Sequence, residues 1–69
     1  MNIAERIRLA ETYAKMSEAQ LAAKLGTSPQ ALGQRIKTGK FTSEELEKIA
    51  NALGCKYVSY FEFPDGEKL

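Results

Sequence analysis

The stretch that decides the fold is Ser17-Glu-Ala-Gln-Leu-Ala-Ala-Lys-Leu-Gly-Thr-Ser-Pro-Gln-Ala-Leu-Gly-Gln-Arg-Ile-Lys37. It opens with a capping box, in which Ser17 and Gln20 each satisfy an orphan backbone N–H at a helix start. Leu21, Ala22 and Leu25 then form an inward face over a helix from about Glu18 to Leu25. Gly26 supplies the positive φ that ends this helix. Thr27 or Ser28 caps the next one, with Pro29 at the first helical position, where its missing N–H costs nothing. Leu32 and Ile36, one turn apart, face Leu21 and Leu25. Ala22 is small where the two helices must approach closely. The pattern is a short helix, a tight turn and a second short helix that projects from the body.

Working outward, two more starts use the same device. Asn2-x-x-Glu5 and Thr42-x-x-Glu45 read as capping boxes, and Met16–Leu21 and Phe41–Leu46 read as hydrophobic staples. The first helix is expected from about Ile3 to Lys15, with Ile3, Ile7, Ala10 and Ala14 inward and Leu9 and Tyr13 flanking. Thr38-Gly39-Lys40 reads as a turn. The fourth helix is expected from about Ser43 to Leu53, burying Leu46, Ile49, Ala50 and Leu53, with Gly54 ending it. Cys55 is expected to be a small buried hydrophobe.

Lys56-Tyr-Val-Ser-Tyr-Phe-Glu-Phe63 is rich in β-branched and aromatic residues, and Pro64-Asp-Gly66 is turn chemistry. Residues 55–69 are therefore expected to form a short β-strand or hairpin. Such an element is barely stable alone and must pair with something. Tyr57, Val58, Tyr60, Phe61 and Phe63 are the expected dimerisation residues. Glu62 among the aromatics argues against a stacking platform for single-stranded nucleic acid.

Composition narrows the function classes. The 69 residues hold no His and one Cys, which excludes a His-dependent triad, an internal disulfide and the usual zinc cluster. No Asp/Glu pair is expected on an apolar face that would raise a pKa, so no enzyme, metal or cofactor is expected. No apolar run approaches the roughly 20 residues of a membrane span. The first six residues are not a secretory signal, and the expected location is the cytoplasm. The net charge of +1 conceals a dipole. Residues 1–40 carry seven Lys/Arg against three Glu (+4), and residues 41–69 carry three against six acids (−3).

Gln20-Leu-Ala-x-Lys-Leu-Gly-Thr-Ser28, Leu32 and Leu46-x-x-Ile-Ala-x-Ala-Leu-Gly54 together resemble the Cro and phage-repressor (XRE) family of helix-turn-helix DNA-binding proteins. The resemblance covers residues 3–54. It implies a mainly α, four-helix DNA-binding domain, usually dimeric, that regulates transcription in bacteria or phage. The chain departs from the family in two places. Ile36-Lys-Thr-Gly39 replaces an apolar residue at 35 followed by Glu-Asn-Gly, and Glu18 stands where many members have Gln.

With Leu32 and Ile36 inward, the outward stripe of the third helix is Gln30, Gly33, Gln34 and Lys37, spaced i, i+3, i+4 and i+7. Gln can bond adenine bidentately in the major groove, Lys can reach guanine or a phosphate, and Gly33 lets the backbone approach. Ser17, Thr27, Ser28, Arg35 and Lys40 are the expected phosphate contacts. The organisation read from the chain is a helix-turn-helix domain over 1–54, with its motif at 17–37, and a dimerising extension over 55–69. The expected function is sequence-specific binding of double-stranded DNA by a homodimer with no small-molecule ligand. The other class is a protein-interaction adaptor, such as an antitoxin or a DNA-binding subunit, that docks its partner through the aromatic tail.

Overall fold

A computed structural model describes residues 2–69. Four helices follow one another: α1 (Ile3–Tyr13), α2 (Glu18–Leu25), α3 (Pro29–Thr38) and α4 (Ser43–Leu53). Ser17 and Thr42 close full capping boxes with Gln20 and Glu45. At α1 the Asn2 carboxamide oxygen accepts the Glu5 N–H (2.9 Å). The return bond there runs from the Asn2 amide to the Glu5 carboxylate, so this third box closes through side chains. Ser28, not Thr27, caps α3 by accepting the Ala31 N–H.

The first helix stops at Tyr13, two residues earlier than expected. Lys15 takes φ +55° and the Met16 N–H donates to the Glu11 carbonyl (3.0 Å). The same six-to-one bond ends α2, from the Thr27 N–H to the Ala22 carbonyl, with Gly26 at φ +74°. A lysine thus adopts the left-handed conformation usually given to glycine, and no residue type marked the stop.

The core is Ile7, Leu21, Ala22, Leu32, Ile36, Ile49 and Ala50, with Leu21, Ala22 and Ile36 fully covered. Met16, Leu25, Phe41, Leu46 and Leu53 pack partly buried against it. One feature of α1 was not expected: Glu11, four residues after Ile7, is buried, while the flanking Leu9 is half exposed and Tyr13 almost wholly exposed. Cys55 is exposed rather than buried, since it lies past Gly54 where the chain leaves the body.

Among the described residues no strand forms. The tail reverses at Pro64-Asp-Gly66, where the Gly66 N–H donates to the Phe63 carbonyl (2.9 Å). Phe61 and Leu69 exchange backbone bonds, and Glu62 faces Lys68 in one isolated antiparallel bridge. Tyr57 is half-buried, while Val58, Tyr60, Phe61 and Phe63 are exposed. The tail projects from the body: the radius of gyration is 13.2 Å, against about 11 Å for a compact chain of this length. No helix among the described residues is long and apolar enough to cross a membrane.

Candidate nucleic-acid interface

The geometry of α3 follows from what holds it. Leu32 and Ile36 are buried, and they fix the roll of the helix about its axis. Gln30, Gln34 and Lys37 are then exposed on the far side. The side-chain hydrogen bonds of α3 and its cap belong to Ser28, Arg35 and Thr38. The two glutamines and Lys37 are therefore unengaged among the described residues. Ser17, Thr27, Ser28 and Lys40 are exposed around this stripe, at the start of α2, in the turn and just past α3.

The two flanks of the stripe differ. On one, Arg35 turns toward α4. Its guanidinium donates to the Glu45 carboxylate (2.5 Å) and the Lys40 carbonyl (3.1 Å), and lies 5.1 Å from the Phe41 ring centroid. The Glu45 carboxyl is held below the usual carboxylate range, first by the Thr42 backbone N–H and then by Arg35. The expectation of Arg35 as a phosphate contact therefore meets a guanidinium already used within the chain. Its position on α3, about one residue's turn away from Ile36, aims it at the neighbouring helix rather than along the stripe.

On the other flank lies Gly33. It is half-buried rather than open, because Glu18 at the start of α2 leans over it. A Cβ built on Gly33 would meet only the Glu18 Oε2, at 3.4 Å. The other Glu18 oxygen is 3.9 Å from the Arg8 Nε. Behind this pair, Glu11 is buried with its Oε2 unpartnered. Burial pushes the Glu11 carboxyl up, the neighbouring Glu18 charge adds to this, and Arg8 opposes it. No Asp/Glu pair was expected on an apolar face that would raise a pKa; Glu11 is a buried carboxyl with a raised pKa, to which the Glu18 charge contributes. Sequence reading missed Arg8 and Glu11, and it marked Glu18 only as a departure. The available signal was an acid on the inward stripe of α1 and another in the basic half of the chain.

A family model described as helix-turn-helix matches residues 14–59. That span holds all of α2, α3 and α4 with their connections. Comparison with curated proteins and with solved structures returned no match.

Proposed function

Because the chain belongs to the helix-turn-helix family of the Cro and repressor (XRE) type, a DNA-binding and non-enzymatic fold, we propose that it is a small cytoplasmic transcriptional regulator that binds double-stranded DNA sequence-specifically as a homodimer. The observation that carries this reading is the row of exposed, unengaged Gln30, Gln34 and Lys37 on a helix whose roll is fixed by Leu32 and Ile36. α3 enters the major groove, Gln30 and Gln34 read adenines, and Lys37 reaches a guanine or a phosphate. Ser17, Thr27, Ser28 and Lys40 hold the DNA backbone, which sets register without reading sequence. Arg35 acts as a brace between α3 and α4.

One such module spans few base pairs, so two are needed, on half-sites roughly 34 Å apart. The tail offers the means. Phe61 and Phe63 spend their backbone groups on residues 67–69, which leaves the alternate edge of Tyr60 and Glu62 open. An antiparallel second copy presents the same edge, so the contact is self-complementary about a two-fold axis. The exposed Val58, Tyr60, Phe61 and Phe63 then become covered, and the bridge at Glu62 and Lys68 grows into a sheet. Light scattering on the full chain is expected to give twice 7.7 kDa, and Tyr60→Pro, which removes an edge N–H, is expected to return the monomer. A second, different protein copurifying on the tail would replace the homodimer with an adaptor.

The test of DNA reading is a binding-site selection from random duplexes, followed by fluorescence anisotropy. Gln34→Ala is expected to change which sequence wins. Lys40→Ala is expected to weaken all sequences alike and to flatten the salt dependence by about one unit of slope. Binding that ignores both substitutions overturns the assignment of this face.

A further inference from the structure

We propose that Glu18 is a specificity-determining residue: its carboxylate stands where a side chain on Gly33 would stand, and it accepts a hydrogen bond from the amino group of a cytosine in the major groove. The inference rests on the reading of α3 as the helix that enters the groove.

Gly33 sits on the edge of the outward stripe and has no side chain to offer there. The space is filled by Glu18 from the neighbouring helix, whose Oε2 lies 3.4 Å from the point a Cβ on Gly33 would occupy. A carboxylate from α2 therefore belongs to the reading surface of α3. It is not tied down. Its one partner is Arg8, at 3.9 Å, and no hydrogen bond within the described residues engages it. On its inward side lies Glu11, buried with its Oε2 unpartnered, and it offers Glu18 no hydrogen bond among the described residues.

An ionised carboxylate accepts hydrogen bonds and donates none. Phosphate oxygens are anionic acceptors, so they repel it. In the major groove guanine presents only acceptors, and thymine presents an acceptor and a methyl group. Adenine offers an amino group beside the N7 acceptor, which a carboxylate also meets unfavourably. Cytosine alone offers an amino group without an adjacent acceptor of its own. The base that suits Glu18 is therefore cytosine, at one position under the Gly33 edge of α3.

The experiment is site selection and anisotropy titration with the full-length wild type, Glu18→Gln and Gly33→Gln. Wild type is expected to show one cytosine position at which any other base weakens binding about tenfold, within the range of a single base contact. Glu18→Gln carries both a donor and an acceptor, so that position relaxes to less than about twofold discrimination while the others hold. Gly33→Gln leaves Glu18 in the chain but displaces its carboxylate, and the same position relaxes. If Glu18→Gln shifts every sequence by one common factor and the cytosine preference persists, the carboxylate acts on the backbone alone and the inference is overturned. A wild type that selects no site overturns the reading of α3 and this inference together; a selected site indifferent to both variants overturns this inference only.

Discussion

The α4 flank of the recognition helix and its α1/α2 flank are built from similar residue types and end in opposite states. On the α4 side the charged pair facing α3 is fully engaged: Arg35 bridges Glu45 and the Lys40 carbonyl, and Glu45 also accepts the Thr42 N–H. On the α1/α2 side the groups are left over. Glu11 is buried without a partner for its Oε2, Lys15 holds a left-handed φ, and Gly33 sits in the interior of α3. Each carries a free-energy cost that a well-chosen residue would remove. Costs of this kind gather where a surface serves something other than folding. The difference therefore singles out the Gly33 edge, rather than the Arg35 edge, as the side of α3 shaped by its ligand.

Replacing the orphan tests this most strongly. Glu11→Met keeps the length of the side chain and removes the unpartnered carboxylate, so it is expected to stabilise the domain by about 1–3 kcal/mol. In a domain of this size each kcal/mol raises the melting temperature by about 4–8 °C. The pH dependence sharpens the contrast. Glu11 has a raised carboxyl pKa in the folded state, so the folded chain binds more protons and its stability falls as pH rises from about 4.5 through that raised value. Glu45 has a lowered one, so the stability it contributes is present above about 4.5 and is lost as pH falls through its folded value. A melting series against pH is expected to peak near 4.5 in wild type. In Glu11→Met the decline above that pH disappears and the decline below it remains. A wild-type curve flat between pH 4.5 and 7 would leave Glu11 without the burial cost assigned to it.

Legibility followed the same division. Ser17, Thr42, Gly26 and Gly54 set the bounds of α2 and α4 because caps and left-handed stops are local chemistry, readable from residue type alone. Leu32 and Ile36 fixed the inward side of α3 by spacing, and the outward stripe followed. What could not be read was set by tertiary contacts. Lys15 ends α1 because the chain must turn back toward α2, and nothing in a lysine announces that. Glu11 is inward because it follows Ile7 by one turn, although its type argues for solvent. The aim of Arg35 depends on Glu45, ten residues away. Cys55 and the tail aromatics look like core by composition, yet four helices close the core without them.

Gly33 allows a smaller and cleaner test. Alanine there adds only a Cβ, which reaches the Glu18 oxygen at van der Waals distance and meets nothing else. Gly33→Ala is expected to stabilise α3 by up to about 1 kcal/mol, the propensity difference in a helix interior, as read by urea denaturation. Destabilisation would mean that Glu18 cannot give way, and the edge would be a tight contact rather than a deliberate opening.

The smallest effect is expected on the braced flank. The Arg35 and Glu45 side chains are both partly open to solvent, and ion pairs of that kind contribute little to stability. Arg35→Gln is therefore expected to lower the melting temperature only slightly, much less in magnitude than Glu11→Met raises it. The decisive readout is DNA. Because the guanidinium is engaged by Glu45, the Lys40 carbonyl and the Phe41 ring, its removal is expected to leave the salt slope of binding unchanged. Removing a cation that neutralises a phosphate would instead reduce that slope by about 0.9. If Arg35→Gln flattens the slope as Lys40→Ala does, Arg35 leaves Glu45 for the DNA backbone on binding. The brace then belongs to the free protein alone, and both flanks of α3 serve the ligand.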